Sequence, residues 1–194
     1  MNSEQLFTMA LCLTQPWKVD HIEFETTKDN QSQLHIYLSF PKGTKFKDKE
    51  GNFCSIHDTK DKVWRHLDFF QHECYLHAKV PRIKTQSGKV EQVHVPWARP
   101  NSGFTLLFEA FAMSLIENEM PVNKASTIVR VNPNRLWTIF KYWIYRAMQK
   151  DCQKNVKQLG IDETSARKGH DYVTLAADIK AKRVIFAAPG KDET

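Results

Sequence analysis

The 194-residue chain has no Cys-x-x-Cys pair, no apolar run long enough to span a bilayer, and no cationic, cleavable start. Cys12, Cys54, Cys74 and Cys152 stand far apart, which argues against a disulfide framework and fits the reduced thiols of a cytoplasmic protein. Leu106-Leu107-Phe108 and Ala110-Phe111-Ala112-Met113 are broken by polar residues far too early for a transmembrane helix, so no membrane partner is expected. Met1-Asn2-Ser3-Glu4-Gln5 lacks the features of a secretory signal. Internal repeats and low-complexity tracts are missing too. The most informative absence is local: from Met120 to Lys150 there is no Asp or Glu. That stretch holds Lys124, Arg130, Arg135, Lys141, Arg146 and Lys150, as much positive charge as the +6 that the whole chain nets. Concentrated cationic charge is the footprint of a polyanionic partner.

What is present divides into β-like and helix-like halves. A short helix is expected from Ser3 to Leu13, with Ser3 as N-cap. Leu34, Ile36, Leu38 and Phe40 alternate with polar residues at the strand period of two, and residues 19–24 are expected to pair with them across Lys28-Asp29-Asn30. A polar loop is expected over residues 42–62, then strands over 63–70, 73–83 and 90–95. Pro96-Trp97-Ala98-Arg99-Pro100 reads as a linker, and everything from there to Lys150 reads as helix. Phe104, Leu107, Phe108, Phe111, Ala112 and Leu115 form one apolar stripe. Pro121 opens a second, short helix, and Asn132-Pro133 opens a third, with Asn as N-cap and Pro at the first helical position. Leu136, Trp137, Phe140, Trp143, Ile144 and Ala147 are expected to line the third helix inward.

Two helices joined by a very short turn, the second of them basic and preceded by a supporting helix, form the layout of a helix-turn-helix DNA reader. The third helix leaves Asn134, Arg135, Thr138, Lys141, Tyr142 and Tyr145 outside its apolar stripe. Such side chains reach phosphates and base edges, with Asn suited to adenine and Arg to guanine. With Lys124, Arg130 and Arg146 they form the candidate DNA-binding set. The competing reading is a solvated cationic helix face without a ligand; the missing acids favour DNA.

Cys54-Ser55-Ile56-His57 has zinc-ligand spacing and His72-Glu73-Cys74 lies nearby, but this is half a site. The second pair has one residue between its members and sits within a strand, so no bound metal is expected. Toward the C-terminus, residues 159–164, 170–175 and 182–186 read as three strands. Asp162 and Glu163 point to opposite faces and make no ready carboxylate pair. Asp178 is expected to serve a turn. One acid on a strand cannot hold a catalytic divalent ion, and the sequence stops 32 residues after Asp162, so this chain is expected to lack the rest of such a site.

Trp64-Arg65-His66-Leu67-Asp68, Cys74-Tyr75-Leu76-His77-Ala78-Lys79-Val80-Pro81-Arg82, Val95-Pro96-Trp97-Ala98-Arg99, and Gly160-Ile161-Asp162-Glu163 with Gly169-His170-Asp171-Tyr172 together resemble the bacterial insertion-sequence transposases of the ISL-three family. The resemblance runs in order along the whole chain. It implies a zinc ribbon, a helix-turn-helix and the start of an RNase H-like domain whose Asp-Asp-Glu triad holds magnesium in the complete enzyme, with Asp162 similar to the first triad acid. Where the family carries its metal-binding pairs, this sequence reads Lys47-Asp48-Lys49-Glu50 and Thr85-Gln86-Ser87-Gly88.

The expected architecture is α+β in three units: a β-rich, degenerate zinc-ribbon-like unit at 1–97, a helix-turn-helix unit at 98–150, and truncated RNase H-like strands at 157–194. The expected function is that of a DNA-binding, truncated transposase that recognises the double-stranded ends of an insertion sequence without cutting them, alone, as a homodimer or with the full-length enzyme. Two alternatives are half of a split transposase completed by a separate downstream polypeptide, and a protein-interaction module using an incomplete sheet.

Overall fold

The computed structural model describes residues 2–150, 156–165 and 172–190; Cys152, His170 and Asp171, named above, lie outside them. The fold class is α+β, as expected. Two units are distinguished, residues 1–141 and 142–194.

The first unit opens with α1 (Ser3–Ala10), capped one residue earlier than expected. The Asn2 side chain accepts the Gln5 N–H at 2.9 Å while the Gln5 side chain accepts the Asn2 N–H at 3.2 Å, a reciprocal capping box. A hairpin of β1 (Lys18–Thr26) and β2 (Ser32–Ser39) follows, joined by the expected turn. The short strands β3 (Phe46–Lys47) and β4 (Phe53–Cys54) pair with each other. A long hairpin, β5 (Ile56–Phe69) with β6 (His72–Lys84), then forms the body of the unit. Residues 56–62 are therefore strand, where the sequence reads as polar loop. They lie at a sheet edge against β6, where Asp58 pairs with Arg82 (Nε to Oδ1 2.6 Å) and polar side chains cost little.

The sheet order is β1-β2-β6-β5, with β7 (Val90–Gln92) pairing with the end of β6. The β2–β6 contact is parallel, from Gln33↔Glu73 to Leu38↔Ala78. Pro81 falls between the β2 ladder, which ends at Ala78, and the β7 ladder, which begins at Arg82; there its missing N–H interrupts neither. Strand alternation sends Leu34, Ile36, Leu38, Cys74, Leu76, Ala78 and Val80 into the core. Trp17 meets Trp97 (4.9 Å) and Phe40 (5.1 Å) edge-to-face, and Trp97 meets Trp64 (5.5 Å). Such pairs add about 0.5–1.5 kcal/mol each beyond their burial.

The Pro-rich segment after β7 is packed down. Trp97 and Ala98 are buried, the Arg65 N–H donates to the Gly103 carbonyl (2.9 Å), and the Thr105 N–H donates to the Arg65 carbonyl (3.0 Å). Residues 103–105 thus add to the β5 edge. That contact sets the start of α2 (Leu106–Glu117), whose N-cap Thr105 accepts the Phe108 N–H. Glu109, fully buried, accepts hydrogen bonds from Arg99 Nε (2.9 Å) and the Ser102 hydroxyl (2.6 Å), locking segment to helix. Helices α3 (Val122–Ile128) and α4 (Pro133–Lys150) follow. Their core is Phe104, Phe108, Ala112, Ala125, Val129, Leu136, Ile139 and Phe140. Trp137, Ile144 and Ala147, expected inward, are exposed, and Ile139 takes an inward place. The three buried residues of α4, Leu136, Ile139 and Phe140, all lie in its N-terminal part.

The second unit contains an antiparallel sheet, β8 (Leu159–Ser165), β9 (Tyr172–Asp178) and β10 (Arg183–Pro189), ordered β10-β9-β8. Asp178 is buried and accepts the Ala181 N–H at 3.1 Å, the turn role expected of it. No helix among the described residues is long and apolar enough to cross a membrane.

Candidate nucleic-acid interface

Helix α3, residues 129–132 and α4 make the two-helix element, with α2 as support. The turn is tight because Arg130 adopts a left-handed conformation (φ 54°), which lets the Val131 N–H reach the Ser126 carbonyl at 3.1 Å. Asn132 then caps α4: its side-chain oxygen accepts the Asn134 N–H at 2.9 Å, and Pro133 supplies a first residue that needs no acceptor.

On α4, Asn134, Thr138, Lys141 and Tyr145 recur at helical spacing along one exposed face. The Thr138 hydroxyl donates back to the Asn134 carbonyl (3.0 Å). Lys124 is exposed on α3. Arg146 reaches the Tyr142 hydroxyl at 3.2 Å and lies over the Tyr142 ring, so these two expected contact residues form one flat cationic-aromatic pair.

Two arginines of the expected set turn toward the sheet. Arg130 donates to the Asp68 carboxylate and to the Gln71 carbonyl (3.0 Å) on the β5–β6 hairpin. Its guanidinium ties the turn to the sheet, a use the sequence reading did not anticipate. Arg135 lies over the Phe104 ring at 4.4 Å, beside Gly103, where a Cβ would stand 3.4 Å from its Nη2. Neither Asp68 nor Phe104 was in the expected set. Asp68 was signalled only by its place in a motif shared with the family resemblance, and Phe104 only as part of the apolar stripe.

Arg65 organises this seam. Its side chain is 4% exposed, donates to the His66 and Cys74 carbonyls and to Asp68, lies 3.7 Å from Glu73, and stacks between the Tyr75 and Phe108 rings. Next to it, His66 Nδ1 hydrogen-bonds with the Thr105 hydroxyl (2.8 Å), whose oxygen also accepts the Phe108 N–H. Burial, reinforced by the Arg65 charge, pulls the His66 pKa down to about 4.

Cys74 is buried in the sheet core opposite Leu34 and His66, and burial pushes its thiol up to about 12. Cys54 is buried beside Asp48, its Sγ 3.7 Å from the carboxylate, and desolvation with that negative charge raises its pKa as well. Both environments oppose the thiolate that zinc needs. No group of three or more metal-ligating side chains is found among the described residues. Asp162 is exposed on β8 and stands opposite Leu175, with no second acid across the ladder. These residues do not fit zinc or a catalytic magnesium.

The geometry therefore defines a helix-turn-helix docked on a β-rich body. Residues 93–144 match the family model for the helix-turn-helix domain of transposase family ISL3, and residues 54–84 match the zinc-finger of transposase IS204/IS1001/IS1096/IS1165. The chain is 26% identical over 198 residues to the transposase for insertion sequence element IS1557 of Mycobacterium tuberculosis, from strains CDC 1551 / Oshkosh and H37Rv, covering all of this chain and 44% of those relatives. No solved structure matches. Over its ribbon and helix-turn-helix segments, the chain is similar to transposases of the ISL3 type. It spans less than half the length of the curated relatives it matches.

Proposed function

We propose that this chain binds double-stranded DNA through α3 and α4 and recognises the ends of an insertion sequence, acting in the cytoplasm as the DNA-reading part of a transposase. The observation that carries this is the α4 face: exposed, free of acids, and opened by the Asn132 cap within a stretch that matches a helix-turn-helix. In this reading Asn134 and Thr138 meet base edges in the major groove. Lys124, Lys141 and the Tyr142–Arg146 pair meet phosphates. Arg130 serves by fixing the turn. The ribbon works without zinc, held by strand pairing and aromatic packing. Asp162 takes no part in binding, and with Leu175 opposite it the chain binds without cutting.

The test is a titration of the purified chain and its variants against element-end and scrambled duplexes at several salt concentrations, with a magnesium-dependent cleavage assay alongside. Lys141→Gln should flatten log affinity against log salt by about 0.9. Asn134→Ala should cost about 1–3 kcal/mol on the preferred site and relax choice there. Asp162→Ala should leave binding unchanged. Equal, weak binding by every variant would refute the DNA reading, and cleavage lost in Asp162→Ala would refute the non-cutting one.

A further inference from the structure

The seam between sheet and helix-turn-helix encloses a cavity of about 320 Å³ lined by Val63, Arg65, Tyr75, Gly103, Arg130, Asn132 and Arg135, among others. It opens beside the N-terminus of the 18-residue α4. Three guanidinium groups border it, and two carboxylates, Asp68 and Glu73, bear on them: Asp68 takes Arg65 and Arg130, and Glu73 lies near Arg65. Three positive and two negative groups leave one positive charge in excess. That excess sits on Arg135, which forms no ion pair among the described residues, lies over the Phe104 ring at 4.4 Å and lines the cavity.

We propose that this cavity seats one phosphate of the DNA backbone, with Arg135 as its direct ligand. This rests on the DNA-binding reading and changes Arg135 from a reader of bases to a setter of register. A planar guanidinium pre-oriented on an aromatic ring presents two N–H groups in the fork that phosphate oxygens fit, and it loses little entropy on binding. The volume suits a phosphate with its water and is too shallow in chemistry for a base, because the donors are cationic and acceptors for a base edge are scarce. Arg65 and Arg130, each already held by Asp68 and by backbone carbonyls, contribute field and rigidity, while the unpaired Arg135 makes the direct contact. A Cβ at Gly103 would come into van der Waals contact with Arg135 Nη2 at 3.4 Å. Since both the sheet and α4 line the cavity, a phosphate bound in it fixes how α4 enters the neighbouring groove.

The experiment measures binding of the full chain and of Arg135→Gln to two labelled duplexes of unrelated sequence across a salt series, with near-ultraviolet circular dichroism to establish folding. Arg135→Gln should weaken both duplexes equally, by roughly tenfold, and flatten the salt slope by about 0.9. A changed ratio between the duplexes at an unchanged slope would make Arg135 a base reader and overturn the proposal, as would no change at all. Should the folded wild-type chain bind neither duplex, the DNA reading falls on its own. Inorganic pyrophosphate then decides the pocket: a saturable shift of the Arg135 side-chain N–H resonance, absent in Arg135→Gln, supports a phosphate seat, and its absence rules one out.

Discussion

In the five-stranded sheet Leu34, Ile36, Leu76 and Val80 are at most 1% exposed, whereas in the three-stranded sheet Leu159, Ile161, Val184 and Phe186 are all more than half exposed. Strands of similar composition have thus produced opposite surfaces. What differs is the cover. On the first sheet, α1, the β3–β4 hairpin and residues 93–98 bring Phe7, Phe46, Val93, Val95 and Trp97 onto the apolar face. Among the described residues, β8, β9 and β10 pair only with one another. Strand pairing saves the backbone hydrogen bonds in both cases, but only a second layer removes the side chains from water, and that is where most of the stabilisation arises.

The comparison is sharpest at Trp97, which belongs to the covering layer and touches both Trp17 and Trp64. Trp97→Ala should remove about 3–5 kcal/mol from the first unit's stability, read from the urea midpoint followed by far-ultraviolet circular dichroism. A loss below about 1 kcal/mol would mean the covering layer is dispensable and the contrast between the two sheets is only one of shape.

The next effect concerns the join between sheet and helices. Burial, reinforced by the Arg65 charge, lowers the His66 pKa from 6.5 to about 4 and so favours the neutral imidazole in the fold. The unfolded chain then binds the proton more readily than the folded one. This contribution is complete above pH 6.5, declines as pH falls toward 4, and amounts to about 3 kcal/mol across that window. Urea midpoints of the wild-type chain should fall steeply between pH 7 and pH 4.5, and those of His66→Asn should fall less by that amount. Parallel pH curves for the two would remove His66 from the account.

The smallest effect is expected on the open sheet. Phe186 is 61% exposed, so Phe186→Ser should change the urea midpoint by less than the equivalent of about 0.5 kcal/mol. A cost near that of Trp97→Ala, appearing only at high protein concentration, would reveal a partner covering this face and erase the contrast.

Much of the local structure was legible in the sequence. The hairpin at Lys28-Asp29-Asn30, the α4 start at Asn132-Pro133 and the turn role of Asp178 rest on caps, turn chemistry and the period of two, all of which act between residues close along the chain. The acid-free cationic stretch was equally plain. Residues 56–62 were misread because an edge strand carries no apolar alternation to reveal it.

By itself the sequence determined most of the segments that form strands and helices, where most of those begin, and that one helical stretch carries unbalanced positive charge. Only the tertiary structure decided what each charge does. The parallel β2–β6 pairing and the docking of residues 103–105 on β5 bring Asp68 within reach of Arg130, 62 positions along the chain, and set Arg135 on Phe104. Two of the cations that looked alike in sequence, Arg130 and Lys141, thereby diverge, one committed to a carboxylate and the other left on an open helix face. The reason is physical: propensity and capping energies depend on neighbours a few residues away, whereas the direction of a guanidinium depends on which carboxylates and rings the folded sheet brings beside it.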